Sequence, residues 1–370
     1  MDASPGDPGP PVAGVRLTRT EENLAEVDAL AALLGGRTGV APVLGDLHRQ
    51  GRRTLPWGRA VVRSFTWDAE DRRTTQWYPQ GITTSADADD SERVHGKALV
   101  VAAWYLKDEH GGNQGSRVTF VDLQTLRYRH VLLVQPRLRK GRLVLSPLKV
   151  HAGGIVWRGP YLHVAATSKG FVTCHVDDVM RIPDERAADR GGAHLRRLGV
   201  QGDEVASLGY RYVLPVRFAY QAYADEGHQR MKYSFLSLDR ADDPPAIVAG
   251  EYARGDEATR LARYPLDPLT SLLVGGADGT SRPVALDTGG VTSMQGACVA
   301  RGRHHVTVSH GPWMPGSVYS GSPGALRRHR FALPMGPEDI SYWPSADLLW
   351  SLTEHPRRRW VVAMRRSFFD

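Results

Sequence analysis

The amino-acid sequence predicts an all-β protein, a five-bladed β-propeller with an N-terminal accessory helix, and three observations carry that expectation. From Trp77 onward, short apolar or alternating runs recur roughly every ten residues between turn residues, the pattern of consecutive strands. Four strand groups open alike, "YPQGITT", "VHAGGIVW", "SMQGACVA" and "GPEDISYW", each setting small or polar residues directly before an apolar strand. Second and third strands follow at similar distances, and recurrence of this kind marks radial repetition. Finally, "AVVRSFTW" near residue 60 reads as a strand without a partner, while the unit after Pro337 shows only three clear strands. Supplying the early strand as the outer member of the last unit would pair open edges and tie the termini together.

Residues 1–14, rich in Pro, Gly and Asp, are expected to be disordered. Residues 15–58 form an accessory helical segment. Its helix is "TRTEENLAEVDALAALLGG", with Thr18 and Glu21 at capping-box spacing and Gly35 with Gly36 as the stop. Leu24, Val27, Leu30, Ala31 and Leu34 share one face, which predicts docking on a larger body. Residues 59–370 then make a single propeller domain. Its second unit contains "GIVW", "YLHVAAT" and "FVTCHVDDV", and a polar, Arg-rich insertion follows near residues 183–204. "YVLPVRFAYQA" fits the inner-strand slot of the next unit with a weaker match, and six blades would follow if "SLLVGG" to "VALDT" formed a blade of its own.

The chain has 370 residues and a net charge of +7, from 47 basic and 40 acidic side chains. The arginines are dispersed, with local clusters at "RRHR" and "PRRRW", and no nucleic-acid-binding module accompanies them, so no nucleic-acid partner is expected. Cys174 and Cys298 are the only cysteines, which excludes a disulfide framework and CxxC metal spacing. The N-terminus lacks the basic and apolar regions of a leader, and no run approaches the ~20 apolar residues of a spanning helix. A cytoplasmic protein without membrane attachment is the expectation.

In a propeller, the inner strands all start near one end of the central channel, so residues at those starts converge although distant in sequence. The convergent set is Gln80, His151, Arg217, Gln295, Glu338 and Asp339. Such a set suits ligand recognition, or proton transfer between His151 and Glu338 with Asp339 beside them. Imidazole and carboxylates could equally hold a divalent ion such as calcium. The competing reading is that these side chains plug the channel, bonding to one another and to buried water.

"HHVTVSHGPWMPGS" adds His310 and Trp313 on the turn after a strand, where a loop could cover the channel mouth and Trp313 could stack on a flat or sugar-like ligand. The plainer alternative is a strand histidine with a half-buried loop tryptophan. Asp87, Asp89 and Asp90 of "SADADDSE" alternate as in a calcium loop but lack the glycine and glutamate at EF-hand spacing, so a solvated turn is expected. His163 and His175 fall within strands and read as structural imidazoles. Neither a G-x-S-x-G elbow nor a helix opening after "GGADGTSRP" is present.

The openings "PQGI", "HAGGIVW" and "YLHVAAT", with "RVTFVDLQTLRYRHVLLV", are similar to a group of uncharacterised bacterial propeller proteins over roughly residues 77–180. More distantly, the small-residue opening before an apolar strand resembles plant-type glutaminyl cyclase and the gluconolactonase and strictosidine synthase group. That resemblance implies a central channel-mouth carboxylate, often with a metal, and Glu338 is the position here that matches; a full set of metal ligands is lacking. Two functions remain open. One is an enzyme acting on a small organic substrate at the channel mouth, in a cyclisation, lyase or hydrolytic step of a biosynthetic pathway, with His151 and Glu338 as acid and base. The other is a non-catalytic propeller that binds a protein, glycan or small molecule through its loops.

Overall fold

The computed structural model describes residues 10–187, 197–241, 244–255, 257 and 259–370. Among them, the main strands group into five four-stranded antiparallel units. The first comprises Trp77–Thr84, Leu99–Lys107, Asn113–Asp122 and Arg127–Arg139. The second comprises Ile155–Arg158, Tyr161–Ala165, Gly170–His175 and Tyr212–Ala224. Phe235–Asp239, Ala246–Gly250, Leu261–Pro265 and Ala285–Asp287 make the third, and Met294–Ala300, Arg303–Val308, Pro315–Gly321 and Arg327–Met335 the fourth. The fifth runs Pro337–Trp343, Leu348–Thr353 and Trp360–Arg365, and its outermost long strand is Val61–Thr66 from the start of the chain.

The first strand of each unit lies innermost, against the first strands of the units on either side. Alternation along the strands gives every unit two apolar faces, and each junction between successive units buries its own cluster. Val101, Phe120, Ile155 and Trp157 meet between the first and second units, and Phe171, Leu238 and Ile247 between the second and third. Phe235, Met294 and Val306 fill the next junction, then Cys298, Val318, Ile340 and Leu349. Trp104, Tyr128, Trp350, Leu352 and Phe65 fill the junction between fifth and first. The wheel is therefore closed by packing all round. Val61–Thr66 supplies the expected clasp, with Phe65 opposite Val361 and Thr66 opposite Trp360, and the Thr66 hydroxyl donates to Arg359 O at 2.6 Å.

Several expectations need correction. "YVLPVRFAYQA" is the outer strand of the second unit and not an inner strand. It pairs with Gly170–His175 and also runs parallel to residues 132–134 of the first unit, so one long strand ties two units together. The inner strand of the third unit comes instead from "MKYSFLSLD". "SLLVGG" to "VALDT" makes no blade of its own, because Ala285–Asp287 pairs as the outer strand of the third unit.

The helix begins at Leu24 and not at Thr18; Thr18 belongs to a strand, Val15–Arg19, paired with Tyr220–Ala224. The V-R-L-T-R alternation explains it, since Val15 and Leu17 are both fully buried. Gly35 ends the helix in the left-handed conformation, as its position predicts. Val27, Leu30, Ala31 and Leu34 pack on Leu132, Val134 and Val213, whereas Leu24 stays exposed. Residues 1–9 and 188–196 lie outside the described residues, and Val12 N–H donates to Pro283 O at 2.7 Å. No helix among the described residues is long and apolar enough to cross a membrane.

Candidate functional site

The strand openings meet at the axis, and their small residues are explained by how closely the backbones approach. A Cβ on Gly154 would lie 2.0 Å from Leu236 N, and one on Gly296 2.6 Å from the Asp339 Cα. Asp339 stands where the first, second and fourth units place Gly81, Gly154 and Gly296. Its Oδ2 accepts the Ile82 N–H at 3.0 Å and the Ile155 N–H at 3.4 Å, joining the fifth unit to the first and second. Burial pushes its pKa well above the usual carboxylate range despite those donors. Asp339 is thus a buried strut, as the plug reading expects. Asp87 does the same at the far end, accepting from Thr83 Oγ1 at 2.8 Å, Thr84 N at 3.2 Å and Ser341 Oγ at 2.7 Å.

The mouth side of the strut carries a second layer. Gln80 is buried and donates from Nε2 to Glu354 Oε2 at 2.9 Å. All but 3 % of Glu338 is buried, and burial, followed by the charges of Glu354 and Asp339, drives its pKa well above the carboxylate range. Glu354 itself is only half-buried. Tyr105 is affected by the same groups: burial first, then Glu354 and Glu338, disfavour its phenolate. Its ring lies 4.6 Å from that of His151 and 5.7 Å from that of Tyr78, centroid to centroid.

His151 is exposed as a residue, but lost hydration of its ring, then the Lys107 ammonium, favours neutral imidazole. The charge acting on His151 is that of Lys107, whereas those of Glu354 and Glu338 act on Tyr105. Arg359 closes the cluster from below. Its fully buried guanidinium lies 5.1 Å from the Tyr78 ring and donates to the carbonyls of Glu354 and Asp71, and burial pulls its pKa down to about 10.

The other sequence-derived candidates divide. Gln295 is half-buried at the mouth end of its inner strand, beside Gly296. Arg217 does not reach the axis: it lies on the outer strand of the second unit and pairs with Asp178 at 2.8 Å and Glu22 at 3.3 Å. The misplaced inner strand explains that error. His310 and Trp313 do lie on a mouth-side loop. His310 Nε2 is 2.9 Å from Ser317 Oγ, and Trp313 is 75 % exposed, not half-buried, with Arg358 4.0 Å from its ring.

Asp87 is no part of a calcium loop, and Asp90 pairs with Arg158 and Arg240, each at 2.8 Å. Among the described residues, no group of three or more His, Cys, Asp or Glu side chains is placed to hold a metal ion.

Sequence reasoning missed Glu354, Arg359 and Tyr105. The usable signal was "TEHPRRRW", the turn after "LLWSL", which in a propeller returns to the same face as the inner-strand starts. It also missed a buried ionic cluster beside the mouth, carried by the helix Ala69–Arg73. Asp71 accepts from Arg117 Nη2 at 2.7 Å, Tyr128 Oη at 2.7 Å, His130 Nε2 at 2.9 Å and Arg49 Nη1 at 3.2 Å. Burial opposes the Asp71 charge, but His130, Arg117 and Arg49 together hold its pKa well below the usual range. The Arg117 guanidinium is sandwiched 4.5 Å from the Trp77 ring and 4.6 Å from that of Trp104. This cluster floors a cleft of about 850 Å³ that also reaches Lys107, His110 and Tyr210.

No protein-family description matches the chain, and neither does any curated protein. Solved structures share its strand arrangement at low identity. A GH43_1 enzyme from Xanthomonas citri, complexed with xylotriose, is 12 % identical over 82 % of this chain and 90 % of that one, with a TM-score of 0.34. The β-propeller domain of Cps50 (Swd1) from Myceliophteria thermophila is 9 % identical over 84 % and 99 %, with a TM-score of 0.38. A gluconolactonase from Xanthomonas campestris is 12 % identical over 98 % of each chain, with a TM-score of 0.32. Likeness at this level carries no argument about activity, so the chemistry has to be read from the mouth cluster itself.

Proposed function

We propose that this protein is an enzyme of hydrolase type, acting on a small organic substrate at the channel mouth by acid–base chemistry. One observation carries the reading: Glu338 and Glu354 stand in unlike surroundings, Glu338 buried, with burial and then the Glu354 charge favouring its protonated form, and Glu354 half-exposed and accepting from Gln80 Nε2 at 2.9 Å. Pairs of carboxyl groups in environments that differ in this way divide naturally into acid and base. Glu338 is the proton donor and Glu354 the acceptor. Tyr105 and neutral His151 line the approach, and the buried charge of Arg359 offsets negative charge gathering at the mouth.

The test is turnover on a panel of lactones and aryl glycosides, with Glu338→Gln, Glu354→Gln and His151→Ala compared with the unaltered protein. Loss of an acid or base of this kind lowers the rate ~100-fold or more. The thermal midpoint of each variant should stay within a few degrees of the parent. Activity that survives both glutamine substitutions would remove the assignment. A second reading rests on Trp313, largely exposed and stacked with Arg358 on the mouth-side loop, which suits a propeller that binds a ligand through its loops. It predicts that Trp313→Ala abolishes binding while Glu338→Gln leaves it intact, as measured by calorimetry with the same panel.

A further inference from the structure

The cleft beside the mouth takes no part in the chemistry proposed above, although its volume of about 850 Å³ is that of a small-molecule site. It opens between the first unit, at residues 74–77 and 106–110, and the turn 208–211 that leads into the outer strand of the second. Trp77, Leu106 and Leu208, each half-buried, supply apolar lining. The cluster centred on Asp71 supplies a fixed polar floor. There the Arg117 guanidinium, buried between the Trp77 and Trp104 rings, donates to Asp71 through Nη2 and to Tyr210 Oη through Nη1, the latter at 2.9 Å.

The carboxylates lining the cleft are mostly engaged. Asp71 has its four donors, Glu70 pairs with Arg49 at 2.9 Å, and Asp108 accepts the His110 and Gly112 N–H groups and Gln114 Nε2 at 2.6 to 2.9 Å. Glu109 is exposed and has no partner among the described residues. Two donors, by contrast, have capacity left. Lys107 is half-buried with its ammonium 5.1 Å from the Tyr78 ring, and no carboxylate among the described residues pairs with it. Tyr210 is kept a neutral phenol by burial, and its hydroxyl accepts from Arg117 while donating to nothing among the described residues. A hydroxyl polarised by a guanidinium in this way is a strengthened donor. The field in the cleft has the matching sign, since after burial it is the charges of Arg129 and Arg49 that disfavour imidazolium at His48 on its lining.

We propose that this cleft binds a small organic carboxylate with an apolar body, its anionic group received by Lys107 and the Tyr210 hydroxyl and its body lying against Trp77, Leu106 and Leu208. The number of free donors selects the anion. One ammonium and one hydroxyl match a single negative charge shared by two oxygens, whereas a phosphate dianion calls for the further donors that Arg49 and Arg117 already direct to Asp71. The apolar lining selects an organic body over a hydrated inorganic ion. The site is distinct from the pair Glu338 and Glu354, and binding there does not depend on chemistry at the mouth.

The experiment is titration calorimetry of the full chain with naphthoate, with neutral naphthamide and phenyl phosphate run beside it. Saturable binding of naphthoate is expected, with naphthamide and phenyl phosphate both weaker. Lys107→Met and Tyr210→Phe should each weaken naphthoate ~10-fold or more, while Lys107→Arg retains it. Substitutions at the mouth, His151→Ala and Glu338→Gln, should leave it unchanged, which separates this site from the proposed active site. Lys107 is half-buried and Tyr210→Phe keeps the ring beside Trp77, so the variants fold, which a thermal melt verifies. No saturable binding of naphthoate, equal binding of naphthamide, tighter binding of phenyl phosphate, indifference to Lys107→Met or to Tyr210→Phe in folded protein, or an equal loss on His151→Ala would each overturn the proposal.

Discussion

Glu338 and Asp339 are adjacent, buried and both pushed above the carboxylate range by lost hydration, yet only Asp339 has backbone donors reaching its side chain from two other units. Under the proposed function, that difference separates the strut, Asp339, from the reacting acid, Glu338. Because the folded-state pKa of Glu338 is raised, folding is unpenalised below the ordinary glutamate value, where both states are protonated. Stability is then lost as pH rises, since the unfolded chain ionises first while the folded one retains its proton. Glu338→Gln removes that loss. Its thermal midpoint, measured against the parent by calorimetry, should therefore compare more favourably at pH 8 than at pH 5; a difference that does not change with pH would show that Glu338 is not held protonated. The positions of Glu338 and His151 at strand openings were legible from the repeated motif, whereas the role of Asp339 was not. Nothing in "GPEDISYW" says which of two neighbouring carboxyl groups points across the axis.

The inner strands show why the openings "QG", "GG" and "QG" are needed. Where one backbone passes another at the axis, there is no room for a Cβ, and Gly154 is the tightest case, at 2.0 Å from Leu236 N. Gly154→Ala should destabilise the protein by ~3 kcal/mol or more, because the obstruction is backbone and cannot rotate away. Urea unfolding would measure it, and a loss under 1 kcal/mol would mean that the strands can move apart. Periodicity identified most strands correctly because alternation and turn residues act locally. It misassigned "YVLPVRFAYQA", whose apolar run serves an outer strand that pairs with two units at once. Arg217 was carried to the wrong place with it. The start of the helix was misread for a related reason: capping-box spacing at Thr18 competes with the V-R-L-T-R alternation, and burial of Val15 and Leu17 against the second unit decides for the strand.

Closure governs the whole molecule. The junction between the fifth and first units contains Phe65 and Trp67 from the clasp, packed with Trp104, Tyr128 and Trp350. Deleting residues 59–67 strips the outer strand from the fifth unit and empties that junction together. Each buried aromatic lost from such a core costs ~3–5 kcal/mol, which two of them bring to the size of a domain's total stability. The deleted protein should show no cooperative thermal transition by circular dichroism; a truncated chain that melts cooperatively near the parent midpoint would refute the clasp. The same closure assembles the mouth, because Gln80 belongs to the first unit and Glu354 to the last, and only a completed ring sets them 2.9 Å apart.

The sequence by itself determined the all-β class, the radial repetition, the early strand that completes the last unit and the small residues at the axis. Those properties follow from alternation, turn chemistry and sterics within a few residues. Only the tertiary structure decided which side chains meet: Glu354 with Gln80, Arg359 with Tyr78, Asp71 with Arg117 and His130, and Arg217 with Asp178 instead of the axis. Such contacts depend on the angle and order in which whole sheets pack around the ring, and on which groups lose water when they do. Neither quantity is written in any short segment of the chain.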